Sequence, residues 1–248
     1  MIEGERRRGP TAPGAGAVFG PRVAVSEVLH GPDGGLETYD ASARAALAAM
    51  ARYVLEFLTS EHPDLGRPGA VCPFARPAAE QRLIHITACS SSDEATIVKG
   101  LGLLRNELAQ LDGWPDTAAA ERHRAIIAVF PRLPEPDGAR MIERIQKALK
   151  LSFVKGRLMI GQFFPGCSEP GLWNPEFRPL RSPVISLAMR NITILDAPFM
   201  LDRSEYIAAF VRTFGAAGAD MIVKAARDRT RRLPGGCPRG VAGADGST

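Results

Sequence analysis

Two rhythms of apolar residues alternate along this chain, and together they predict its layout. Leu47, Met50, Ala51, Val54, Leu55 and Leu58 recur at the three-to-four spacing of a helix with one buried face, and Asp40 stands where its N-cap belongs. Leu83-Ile84-His85-Ile86-Thr87 has the composition of a strand, with His85 pointing away from the face of Ile84 and Ile86. Ser91 and Glu94 have capping-box spacing and open a helix expected to run to about Leu111. Ala125 to Phe130 is apolar throughout and predicts a buried strand, and Met141, Ile142, Ile145 and Leu149 mark one face of a helix from about Gly138 to Leu151. Further strands are expected at Leu158 to Phe163 and within Pro183 to Ile194. A helix starting near Asp202, capped through Glu205, and another beyond the Gly215 to Gly218 break close the pattern. Helices and strands in this order predict an α+β fold, a single mixed β-sheet with helices packed on at least one face.

Outside these segments the pattern fades. Residues 1–36 are rich in Gly, Pro and Arg and read as a flexible N-terminal arm, except that Val23 to Leu29, its one periodic stretch, reads either as a short edge strand or as disordered. Residues 37–233 read as a single globular domain and 234–248 as a disordered tail. Apolar residues at 45% and charged residues at 23% are ordinary globular values. The richest apolar stretch, Ala45 to Leu58, is interrupted by Arg52 and Glu56, so no membrane contact is expected. The charged first residues have no apolar run behind them, which predicts no secretory signal and a cytoplasmic location.

The net charge of +4 is concentrated in Arg6-Arg7-Arg8 and in Arg227, Arg229, Arg231 and Arg232. No aromatic residues are interleaved there, so nucleic acid is not the expected partner. Cys72, Cys89, Cys167 and Cys237 are too widely spaced for a paired zinc motif and are expected to be thiols.

Two segments carry candidate chemistry. In Val71-Cys72-Pro73-Phe74 the proline keeps Cys72 out of the helical region and fixes a thiol at a rigid turn, open to a metal or an electrophile or else packed as small apolar filler. The second runs from Gly161 to Pro183 and contains five prolines, the aromatic anchors Trp173 and Phe177, and the arginines Arg178 and Arg181. With Arg190 on the following strand, these arginines either converge as a clamp for carboxylates or pin the loop through backbone carbonyls. Phe163, Phe164 and Trp173 are candidate walls of a ligand pocket. Cys72, His85 and Cys167 are the candidate metal ligands, although no histidine pair has helical metal-binding spacing.

Val71-Cys72-Pro73-Phe74, Met159 to Phe163, Asn174-Pro175-x-Phe177-Arg178-Pro179-Leu180-Arg181-Ser182-Pro183 and Ala188-Met189-Arg190 together resemble a poorly described actinobacterial family often linked with biosynthetic gene clusters. The resemblance covers roughly Ala45 to Phe199. More distantly, the order of these motifs is similar to the YqcI/YcgG family, some members of which are haem-dependent oxygenases that hydroxylate a nitrogen of arginine or lysine. Those relatives tend to carry a histidine just before the proline, where this chain has Phe164-Pro165. The resemblance implies a haem-dependent oxygenase of an amino-acid-derived substrate in small-molecule biosynthesis. In that reading Cys72, His85 or Cys167 would be the axial ligand, Arg178, Arg181 and Arg190 would hold propionates or substrate, and Phe163, Phe164 and Trp173 would line the distal pocket. The alternatives are a non-catalytic binder of haem or another small ligand, and a metal-free enzyme using Cys72 or Cys167 as nucleophile. A small-molecule substrate is the expected partner, with a homodimer left open.

Overall fold

Five strands hydrogen-bond into one mixed sheet in the order β1-β2-β3-β5-β4: β1 is Val23–Ala24, β2 Ile84–Ala88, β3 Ala125–Val129, β4 Leu158–Phe163 and β5 Ser186–Asn191. The computed structural model describes residues 18–30, 36–110, 114 and 117–232. β2 and β3 are parallel, and the other three pairings are antiparallel. A parallel pair needs a crossover, and α4 (Glu94–Ala109) with α5 (Ala118–His123) supplies it. The chain therefore has the α+β fold its pattern predicts.

Register sorts the side chains into two faces. Ile84, Ala125, Arg190 and Met159 form one row across the sheet, followed by Ile86, Ile127, Ala188 and Gly161, then Ala88, Val129, Ser186 and Phe163. The Ser186 hydroxyl donates to the Met50 sulfur at 3.7 Å, so this face lies beneath α2 (Ala41–Arg52), with α1 (Val25–His30) and α3 (Ala75–Glu80) beside it. His85, Ile126, Met189 and Ile160 belong to the opposite face, where α4 packs against α6 (Asp137–Lys155). Leu47 and Met50 from α2, Ile97, Leu101 and Leu108 from α4, and Ile142, Ile145 and Phe153 from α6 are fully buried. Burying each such side chain stabilises the fold by about 1.5–3 kcal/mol.

Several boundaries differ from the sequence pattern for identifiable reasons. Residues 18–30 are part of the fold rather than an arm: the edge-strand reading of Val23 to Leu29 holds at Val23 and Ala24, which pair with β2, Phe19 bridges to Cys89, and Phe19, Val23 and Val25 are buried. Asp40 caps α2 as expected, accepting from the Ala43 amide at 2.8 Å. At α4 the cap is Asp93, which accepts from Thr96, while Ser91 only accepts from the Asp93 amide. α3 and α5 are too short to leave a periodic signal. Residues 1–17 and 233–248, including Cys237, lie outside the described residues.

Where a single domain was expected over 37–233, the chain forms two compact units, the first ending at Thr193 and the second starting at Ile194. In the second, a short 3-10 helix, Ile194–Met200, precedes α7 (Ser204–Arg232). α7 breaks at Gly215, whose φ of 59° and ψ of −141° are open to glycine, as the Gly215 to Gly218 signal predicts. Asp202 pairs with Arg229 at 2.9 Å, and the Phe210 and Phe214 rings lie 4.7 Å apart. Among the described residues α7 is the one helix that is long and apolar enough to cross a membrane by length and composition, although Arg212 and Asp220 lie within it.

Candidate functional site

The helix that starts at Ala41 does not stay α-helical. At Tyr53–Leu58 it widens into a π-helix, a rare form frequently found at functional sites. The chain then doubles back: the Val71 amide donates to Ser60 at 2.8 Å and the Cys72 amide to Leu58 at 2.9 Å. Gly66 and Gly69 take left-handed conformations, φ 78° and 89°, that let the intervening loop turn. Arg76 holds the returning strand by donating twice to the Thr59 carbonyl, at 2.7 and 3.2 Å. Ala75 donates to the Cys72 carbonyl at 3.2 Å, which closes the turn that Pro73 begins and leaves the Cys72 thiol half-buried.

The second candidate segment docks on this loop. Asn174 donates to the Asp64 carbonyl at 2.8 Å, and the Phe177 ring lies 4.7 Å from His62 and 6.2 Å from Phe57. A Cβ on Gly66 would come within 3.1 Å of the Trp173 backbone, so only glycine permits the approach. Tyr53, at the start of the π-helix, stacks on Phe57 at 5.1 Å, meets Phe163 edge-on at 6.2 Å, and donates its hydroxyl to the Pro179 carbonyl. Burial pushes the phenol's pKa well up, and the charges of Cys167 and Cys72, when ionised, push it further. Both thiols therefore lie within electrostatic reach of one half-buried phenol, which stays protonated and can serve only as a neutral hydrogen-bonding group.

The two thiols differ in access. Cys167 is buried, and burial raises its pKa, so it stays a protonated thiol. Its carbonyl accepts from Arg181 Nε at 3.1 Å. Cys72, half-buried, is the one a molecule in solution reaches more easily.

The remaining candidates do not all gather here. Arg178 donates to the carbonyls of Pro175 and Phe177, and Arg181 to that of Cys167, so these arginines pin the loop through its backbone. Arg190 rests over the Phe74 ring, 5.0 Å from its centroid, and donates to the Asn191 carbonyl. Phe163 and Phe164 pack half-buried against the core, whereas Trp173 is 48% exposed. His85 is on the other face of the sheet, stacked on Trp114 at 4.2 Å. Burial, reinforced by Arg22, lowers its pKa to about 4, so the imidazole is neutral at pH 7. Among the described residues no group of three or more His, Cys, Asp or Glu side chains could hold a metal ion.

Tyr53 is the member that sequence reasoning missed. It sits inside the apolar stripe from Leu47 to Leu58, where an aromatic residue reads as core, and only the change to a π-helix turns it toward the loop.

Residues 47–225 match a family described as a domain of unknown function, DUF6875. No curated protein and no solved structure matches the chain.

Proposed function

The chain belongs to the DUF6875 family, and from the geometry of its site we propose that it binds a small molecule with an apolar body beside Tyr53, Phe163 and Phe164, with Cys72 as the reactive group. One observation carries this reading: two segments about a hundred residues apart, each bearing a thiol, converge on one half-buried tyrosine. The half-exposed aromatic rings suit an apolar ligand body, and Gly161 in the adjacent row leaves the sheet surface open, with no atom nearer than 4.0 Å to where a Cβ would stand. An amino-acid-derived ligand remains the working substrate class. The free thiols of Cys72, Cys89 and Cys167 support a reducing, cytoplasmic setting.

The residues present do not fit the haem that the distant resemblance implied. His85 faces the other side of the sheet, Cys167 is a buried thiol, and Arg178 and Arg181 are engaged by loop carbonyls rather than held free for propionates. Cys72 alone remains as a reachable donor.

Two measurements test the proposal. Iodoacetamide labelling of Cys72, followed by peptide mass spectrometry, should slow in the presence of a binding member of a panel of the twenty amino acids and their N-hydroxy derivatives. The same compound should raise the melting temperature of the wild type more than that of Cys72→Ser. Hemin titration should give no Soret band distinct from that of free hemin. A protein-bound band that shifts in Cys72→Ser would restore the haem-dependent oxygenase reading in place of this one.

A further inference from the structure

β4 carries a glycine that neither its own backbone nor its neighbours require. Gly161 lies within the strand, and the register runs unbroken from Leu158 opposite Asn191 to Phe163 opposite Ser186, so it marks no bulge. Its φ is not left-handed, unlike those of Gly66, Gly69 and Gly215. No neighbour crowds it: among the described residues the one atom within reach of a Cβ there is on the Phe163 ring, at 4.0 Å. At Gly138, by comparison, a Cβ would strike Leu133 at 2.5 Å. A glycine inside a strand gives up packing, and the usual reasons are a bulge, a bend, a close backbone or an approaching ligand. For Gly161 the last of these remains.

Register fixes the surroundings of this gap. Gly161 pairs with Ala188, and both are half-buried. Further along the same row Ile127 and Ile86 are buried, so the row is closed toward the middle of the sheet and open toward β4, its outer strand. Successive side chains on one face stand about 6.6 Å apart, which puts Met159 and Phe163 roughly 13 Å apart along β4 with no side chain between them. The floor of that strip is one hydrogen atom and one methyl group, low and flat. Its two ends belong to the thiol site. At one end Tyr53 meets the Phe163 ring edge-on at 6.2 Å. At the other, Arg190 pairs with Met159, and its guanidinium lies 5.0 Å from the centroid of Phe74, in the same turn as Cys72.

We propose that the Gly161–Ala188 strip seats a flat aromatic ring and that the ligand beside Cys72 is an aromatic amino acid or a derivative of one, which rests on the ligand-binding reading above and narrows it. A planar ring lies against a glycine and an alanine across its whole face, whereas a branched aliphatic chain touches such a floor at a few points. Seated there, the ring adds a third member to the edge-to-face pair of Tyr53 and Phe163. Gly161 and Phe163 are then specificity-determining residues: the first leaves the room, the second supplies the contact.

Gly161→Val separates a ligand seat from a structural glycine. Valine fills the strip, strikes nothing at close range and favours a strand, so the melting temperature of the free protein should stay level or rise. Calorimetric titration with L-tryptophan, L-phenylalanine, L-leucine, L-glutamate and free indole reads the binding. The wild type should bind the aromatic amino acids at least about tenfold more tightly than leucine or glutamate, and should bind indole. Gly161→Val should weaken aromatic binding by at least about tenfold, with Gly161→Ala between the two. Leucine or glutamate bound as tightly as tryptophan, or aromatic binding intact in Gly161→Val, would overturn the ring seat while the thiol-site reading stands. Indole binding that Gly161→Val abolishes, with no amino acid bound, would keep the seat and overturn the amino-acid class of its ligand. A lower melting temperature in both Gly161 variants would make the glycine structural and overturn the seat. No binding by any of these compounds would overturn the ring seat, and Cys72 labelling left unslowed by the whole amino-acid panel would overturn the thiol-site reading with it.

Discussion

The hydroxyl of Tyr53 donates to the carbonyl of Pro179, 126 positions further along the chain, and this bond, with the ring contact of Phe57 on Phe177, joins the π-helix to the proline-rich loop. It is a long-range closure made by a side chain on a backbone atom, at a place where no strand pairing holds the two segments together. Removing the hydroxyl should loosen the loop without emptying the aromatic cluster. Tyr53→Phe is expected to lower stability by about 1 kcal/mol in urea denaturation and to speed iodoacetamide labelling of Cys167. Unchanged labelling would show that the loop is held by Phe177 and Asn174 alone.

The thiols should react in the order of their exposure. In native protein Cys72 labels first, with Cys167 and Cys89 far slower, because burial raises the pKa of both slower thiols and closes access to them. Peptide mass spectrometry of a labelling time course reads the order. Faster labelling of Cys167 than of Cys72 would contradict the placement of the site.

Gly66 is under two constraints at once, a left-handed φ of 78° and the Trp173 backbone 3.1 Å from where a Cβ would stand. Gly66→Ala should therefore cost more than the roughly 1–2 kcal/mol of left-handed strain alone. Gly69→Ala, at φ 89° with only an arginine side-chain tip 3.5 Å away, should cost the strain and little else. Comparing the two variants by urea denaturation separates strain from collision.

His85 makes stability depend on pH with a definite sign. Its pKa is about 4 in the folded protein against the ordinary 6.5, so between these values the unfolded chain binds the extra proton. Stability is thus intact above pH 6.5, falls as the pH drops through this window, and levels off for this group below about 4, with a total on the order of 3 kcal/mol. His85→Phe should flatten the curve between pH 6.5 and 4. Carboxylates titrate lower in the range and are common to both proteins, so the difference between the two curves isolates the imidazole.

Phe19 gives the N-terminal segment a testable boundary. Deleting residues 1–16 should leave the melting temperature nearly unchanged, whereas deleting 1–20 removes a buried ring that meets Phe130 edge-on at 6.1 Å. Losing such a ring from a core costs about 3–5 kcal/mol. Equal melting temperatures for the two truncations would show that Phe19 contributes nothing.

What was legible in the chain follows from how each feature is encoded. β3, β4 and α6 are written locally, as apolar runs or as a stripe with a fixed period, and the structure places them within a few residues of expectation. β1 is two residues long and is defined by its partner β2 rather than by its own pattern, so Val23 to Leu29 could not be told apart as edge strand or disordered arm from the sequence. The constrained backbones of the Cys72 turn and the Gly161 to Pro183 loop were legible from their prolines and glycines. The role of Tyr53 was not, because it depends on where a helix changes its hydrogen-bonding pattern. The arginines of the loop show a similar limit: Arg178 and Arg181 have the spacing of a clamp, but their partners are carbonyls whose positions exist only once the prolines have bent the chain.

The π-helix at Tyr53–Leu58 also has a genetic meaning. A wide turn of this kind is an α-helix carrying one surplus residue, so deleting a single residue within 53–58 would let the segment relax to ordinary α-helical bonding. Every side chain beyond the deletion would then rotate by about 100° relative to those before it. Phe57 would leave Phe177, and the return at Cys72 would lose its anchor on Leu58, while the start of α2 kept its packing. One codon would thus separate the scaffold from the site, giving a variant that folds through Met50 and Leu47 yet presents its thiol to a different neighbourhood.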